Sequence, residues 1–172
     1  MPYKFLAVVA GVTLAAGMGL AQKSSANRLA SDNTFITKAA QGGMAEVELG
    51  RLASQHASND KVKQFGQRMV DDHSKANDEL KKVASKQGAT IPSALDPKDQ
   101  AELDHLSKLS GAEFDRAYMQ DMVKDHRMDV AEFRREANNG QDPDVKAFAS
   151  KTLPTLEDHL KTAEETQKEL KK

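Results

Sequence analysis

Cysteine is absent from the 172 residues. Its absence excludes disulfides, thiolate zinc sites, iron–sulfur clusters, a cysteine nucleophile and a lipid-modified N-terminal cysteine. Tryptophan is absent too, and the chain holds two Tyr, six Phe and five Pro. So few aromatics and helix breakers, set against abundant Ala, Lys, Glu, Asp, Gln and Leu, favour helix over sheet. There is no surplus of either charge, because 25 Lys plus Arg stand against 26 Asp plus Glu. A near-neutral chain has nothing with which to neutralise phosphates, so nucleic acid is excluded as the default partner. No Ser/His/Asp constellation or glycine-rich phosphate loop is recognisable, and no reaction is assigned. The length is that of one domain.

One uncharged run is present. Phe5 to Ala21 follows a single positive charge at Lys4 and carries Phe5-Leu6-Ala7-Val8-Val9-Ala10 and Leu14-Ala15-Ala16. This is the pattern of a secretory signal peptide. Gly19-Leu20-Ala21 offers a cleavage site after residue 21, and Ser24-Ser25-Ala26 an alternative after residue 26. The run lies at the short edge of the roughly 17 to 25 residues of a membrane-spanning helix, so an uncleaved anchor is the lesser reading. Export of a cysteine-free chain points to a bacterial periplasm, with no stable membrane insertion after cleavage. Residues 22–33 then read as a polar linker, and residues 34–172 as the folded domain.

Four long helices are expected. Ile36, Ala39, Gly43, Val47, Gly50 and Ala53 recur at three- and four-residue steps, as do Val62, Phe65, Met69, His73, Ala76, Leu80 and Val83. Ser58-Asn59-Asp60 supplies a cap for the second helix and Gly88 its stop. Residues 88–110 are too long for a simple bundle loop; Asp96-Pro97 and a short helix around 101–109 suggest a crossover. Ser110 and Glu113 form a capping-box pattern before Phe114, Tyr118, Met122, His126, Val130 and Phe133. Asp142-Pro143 opens the last helix, with Val145, Phe148, Ala149, Leu153, Leu156, Leu160 and Ala163 inward and Pro154 expected to kink or interrupt it. Two hairpins joined by a long crossover are the connectivity of a ferritin-like four-helix bundle.

Four of the five histidines follow an aspartate, at Asp72-His73, Asp104-His105, Asp125-His126 and Asp158-His159. With helices placed at 33–57, 60–88, 111–138 and 143–171, Glu46, His73, His126 and His159 lie within about two residues, or about 3 Å of rise, of the helix midpoints. Three histidines on apolar faces at one height are costly to bury, since each needs a polar partner and protonation would gather like charges. One transition-metal ion, Zn, Fe, Mn or Cu, resolves that cost. Glu48 is an alternative to Glu46, and Met69 and Met122, one turn from His73 and His126, are alternative soft ligands. Asp72, Asp125 and Asp158 could orient a neighbouring helix's imidazole, but solvated surface charge is their expected role. His56 is expected to meet its helix dipole, and His105 lies on the crossover. The competing reading is a metal-free structural or interaction module of the cell envelope whose polar layer fixes helix register.

The segments Gly43-Met44-Ala45-Glu46-Val47-Glu48-Leu49-Gly50, Met69-Val70-x-Asp72-His73, Gly111-x-x-Phe114-Asp115-x-x-Tyr118-Met119 and Leu153-Pro154-x-Leu156-x-x-His159-Leu160 resemble the exported ferritin-like family known as domain of unknown function 4142. The resemblance runs from about Thr34 to Thr166 and implies a signal peptide followed by a four-helix fold; it implies no defined activity. Di-iron ferritins use Glu-x-x-His on two helices, whereas Val70, Val123 and Leu156 stand three residues before His73, His126 and His159. The carboxylates that bridge two irons are therefore missing, which disfavours ferroxidase or oxidase chemistry.

Overall fold

The computed structural model describes the backbone of residues 16–171 and the side chains from Ser31 to Lys171. Most of the expected leader, residues 1–15, lies outside the described residues. Five helices follow in order: α1 (Ala16–His56), α2 (Asp60–Gln87), α3 (Pro97–Leu106), α4 (Gly111–Asn139) and α5 (Pro143–Glu169). No helix among the described residues is long and apolar enough to cross a membrane.

Local chemistry sets most helix ends. Asn59 caps α2 by accepting from Lys61 N, and Gly88 ends it in the left-handed conformation at φ 65°, where a Cβ would be strained. Asp96 and Asp142 each accept two backbone N–H bonds at the starts of α3 and α5, with Pro97 and Pro143 in the first turn. The last long helix is continuous through Pro154. Pro154 and Ser150 both lie on the exposed face, so the carbonyl that loses its partner is left on the water side.

Three expectations are corrected. Residues 22–33, read as a linker, are helical and continuous with α1; from Leu20 to Gln41 the chain has no Gly or Pro, and its Ala, Leu, Gln, Lys and Arg residues carry the helix on. The crossover helix starts and ends earlier than 101–109, at Pro97 and Leu106, because the Asp96 cap sets its start. Ser110 makes no side-chain cap bond, since Gly111 beside it has φ 60° and departs from the regular first turn a capping box needs.

The four long helices form a square in which α1 packs against α2 and α4, and α5 against α4 and α2. Each neighbouring pair is antiparallel, because the 88–110 connection carries the chain back along the bundle before α4 begins. This is the ferritin-like arrangement. Leu49, Phe65, Met69, Phe114, Tyr118 and Met122 share one apolar cluster at one end, and Phe35, Ile36, Leu80, Phe133, Phe148 and Leu156 share another at the opposite end. Buried polar residues separate the two.

Helix α1 approaches α2 closely at two glycines. A Cβ at Gly50 would come within 2.5 Å of the Gly66 carbonyl oxygen, and one at Gly66 within 2.6 Å of Ala53 Cβ. Gly50→Ala is therefore expected to lower stability by about 1–3 kcal/mol through overpacking. Gly42→Ala, which meets nothing within 4 Å, is expected to raise it by about 0.5–1 kcal/mol through helix propensity. Urea denaturation of the two variants checks the opposite signs.

The hairpins are tied to each other by buried aspartates. Asp115 of α4 accepts from Ser58 N and Asn59 N, each at 3.0 Å, and from the Ser58 hydroxyl, closing the α1–α2 turn. Asp32 of α1 accepts from Gln141 N at 3.1 Å and Asp142 N at 2.7 Å, closing the α4–α5 turn. Glu136 is buried beside Asp32, and burial together with that neighbouring charge pushes its carboxyl up to about 7. The folded chain thus holds this proton more tightly than the unfolded chain, whose group titrates near 4.5. Its contribution to stability is present at pH 4.5 and is lost as pH rises through about 7. Glu136→Gln, which keeps a neutral donor beside Asp32, is expected to stabilise the protein at pH 8 and to change little near pH 5. Urea midpoints at the two pH values test this.

Candidate metal centre

Between the apolar clusters lie Glu46 of α1, His73 of α2, His126 of α4 and His159 of α5, all buried. Each helix contributes one residue at the same height, His73 and His126 as members of their apolar series and Glu46 and His159 beside members of theirs. The three imidazoles gather with ring centroids 5.3 to 5.8 Å apart. One ring nitrogen from each lies within 4.8 Å of those from the other two.

The acceptors around the rings fix which nitrogens carry protons. His73 Nδ1 donates to Glu46 Oε2 at 2.9 Å. His126 Nδ1 donates to the Met122 carbonyl at 3.0 Å, with Glu46 Oε1 at 3.3 Å on the same side. His159 Nε2 donates to Asp72 Oδ2 at 2.9 Å. A neutral imidazole has one N–H, so wherever a ring is neutral the nitrogen away from its acceptor, His73 Nε2, His126 Nε2 or His159 Nδ1, is a bare lone pair. His73 Nε2 has no protein partner although it is buried. His126 Nε2 and His159 Nδ1 face each other at 3.3 Å, lone pair to lone pair.

A proton between those two nitrogens would relieve the clash only if one ring were charged. Burial, opposed by the Asp72 hydrogen bond and aided by the neighbouring His73 and His126, pulls His159 down to about 4. Burial lowers His126 as well, against the attraction of Glu46. Both rings are therefore neutral at pH 7. A tetrahedral ion with nitrogen ligands at 2.0–2.1 Å separates them by about 3.3 Å, the spacing of the His126–His159 pair. His73 completes a triad whose nitrogens lie within 4.8 Å of one another.

The carboxylates around the rings play different parts. Burial alone would raise Glu46, but the facing histidines and the His73 hydrogen bond bring it down to about 2, so it is an anion. It stands at the protonated nitrogens of His73 and His126, where it orients them, and not among the bare nitrogens. Glu48 is on the outer side, paired with Arg51. Asp72 orients His159 and is held by Arg68 Nε at 3.2 Å; Arg68 Nη1 also reaches Asp158 at 2.8 Å. Asp72 is thus the aspartate that meets an imidazole of another helix, while Asp158 is exposed and paired with arginine. Asp125 instead faces Glu102, and burial followed by that charge pushes it up to about 6.

Met69 and Met122 are fully buried in the apolar cluster below the layer. The edges of the Phe65 ring system complete that floor, with centroids 6.2 Å from His126 and 6.3 Å from His159. Tyr118 is fully buried, its hydroxyl has no partner, and burial pushes its phenol up, so it is a neutral group. His56 donates from Nδ1 to the Leu109 carbonyl at 2.7 Å, and His105 is exposed on α3. Neither belongs to the centre. Sequence periodicity located the histidines and missed the Met122 carbonyl, which carries no side-chain signal.

Three solved structures share this fold. A DUF305 fragment from Deinococcus radiodurans has a TM-score of 0.71 at 15% identity, over 81% of this chain and 96% of its own. A DUF305 protein from Streptomyces coelicolor has a TM-score of 0.68 at 15% identity, over 81% and 92%. CopM in its Cu(I)-bound form has a TM-score of 0.65 at 18% identity, over 78% and 93%. No curated protein matches the chain. The profile of domain of unknown function DUF4142 matches residues 18–166, and the chain belongs to that family.

Proposed function

We propose that this chain is an exported helical bundle that holds one transition-metal ion through His73, His126 and His159, for sequestration or stress protection. The observation that carries the reading is the buried triad of imidazoles, one nitrogen of each within 4.8 Å of the others and two of them facing at 3.3 Å. Neutral imidazoles suit Zn, Cu and Fe better than Mn. Glu46 and Asp72 fit the part of outer acceptors, which hold the rings in the binding tautomer and raise their basicity. CopM was seen with Cu(I), so a bundle of this shape can accommodate a copper ion. No Glu-x-x-His pair stands on the four long helices, which supports a single ion over a bridged pair.

Metal analysis of protein purified without chelator, beside a His73→Ala/His126→Ala control, tests the reading. Near-stoichiometric metal in the parent and none in the control is expected. Bound metal should also raise the melting temperature at neutral pH, and chelator should remove that gain. The alternative, a metal-free interaction bundle, draws on the fact that each ring already has one hydrogen-bond acceptor. It requires negligible metal in both proteins and identical melts with and without chelator.

Export rests on the leader pattern of residues 1–21. Mass spectrometry of the exported protein is expected to give an N-terminus at Gln22 or Asn27, and recovery of intact Met1 in a membrane fraction would overturn this. Either cut trims only the first part of α1 and leaves every buried residue from Asp32 onward.

A further inference from the structure

We infer that the ion enters and leaves through the groove between α2 and α5, without the bundle opening. The inference rests on the metal reading and adds the route of exchange. Above and below, the two apolar clusters seal the layer along the bundle axis. Toward α1, the helices meet at Gly50 and Gly66 with no room for a Cβ. A cavity of about 20 Å³ lies inside the bundle beside Glu46 and His73, room for about one water molecule.

The α2–α5 side differs. A groove of about 150 Å³ runs from solvent to His73 and His159, with Asp72 on its α2 wall and Lys151, Thr152 and Thr155 on its α5 wall. It therefore lies against two of the three ligands, His159 from the side of its Asp72-bonded Nε2. Thr152 and Thr155 line the passage, and the Asp72 carboxylate offers an incoming cation a first oxygen partner 2.9 Å from His159 Nε2. Lys151 stands at the rim in an ion pair with Glu79, at 2.6 and 2.8 Å, with Lys75 also on the wall, so exchanging Lys151 for an acid makes the entrance attractive to a cation. A site served by such a groove exchanges its ion at a rate set by the walls, while its affinity is set by the three histidines.

The test uses the full chain and Co(II) as the probe ion, with uptake and chelator-driven release followed by visible absorption. Thr155→Trp fills the groove and is expected to slow both rates by about tenfold or more, with the equilibrium affinity unchanged. Lys151→Glu, at an exposed position, keeps the experiment decisive should the bulky variant misfold. It is expected to speed uptake by about two- to fivefold at low salt, with the gain fading at high salt. Rates within a factor of about two of the parent in both variants would overturn the route while leaving the metal reading intact. A parent chain that takes up no Co(II) or other transition ion would overturn both.

Discussion

Replacing His126 by leucine is expected to lower metal affinity by more than about 100-fold, beyond the 10–100-fold that loss of an outer partner costs. In the metal-free protein the same change has two opposed effects. His126 is fully buried, with Phe65 near one side and Glu46 and His159 on the others. Leucine is close in volume and removes the lone-pair clash with His159 Nδ1. Against that, it takes a facing imidazole from the buried Glu46 carboxylate, and removing one partner of a buried polar pair is destabilising, so a net loss of stability is expected. Metal titration together with urea melts in chelator reads both halves. Asp72→Asn, which weakens the acceptor on His159 Nε2, should fall in the 10–100-fold range. A His126→Leu variant that binds metal as tightly as the parent would remove the three-histidine centre from consideration.

The largest effect on stability is expected at Asp115, far from the histidines. Asp115→Ala should cost about 3 kcal/mol or more, since a buried carboxylate leaves three donors of Ser58 and Asn59 without their charged acceptor. Asp115→Asn, which keeps one acceptor oxygen, should cost less than half of that. Asp71→Ala, on an exposed position whose partner is Gln67, is the control and should change stability by less than about 0.5 kcal/mol. Thermal and urea denaturation order the three variants. A loss at Asp115 no larger than at Asp71 would show that the hairpins are held by apolar packing alone.

The centre was only partly legible in the sequence, and the reason is the range over which each signal acts. Helical periodicity is local, so His73, His126 and His159 could be seen continuing apolar series and counted to one height. The choice between Glu46 and Glu48 depends on the rotation of α1. That rotation follows from the contacts of Gly50 with Gly66 and Met69, which join residues of two different helices. The parts of Asp32 and Asp115 were hidden for the same reason. Their partners lie 109 or 110 and 56 or 57 positions away, and a single aspartate in a helical stretch carries no motif.

By itself the sequence determined the helical class, the positions of the long crossover and of most caps, and the height shared by the histidines, because these follow from spacing and from backbone chemistry within a few residues. Only the tertiary structure decided which nitrogen of each imidazole is bare and that Glu46 stands behind the rings. It also decided that a groove lined by His73 and His159 lies between α2 and α5. A proton's place on a ring is set by the acceptor that another helix, or another turn, brings to it, and that acceptor exists only once the four helices have packed.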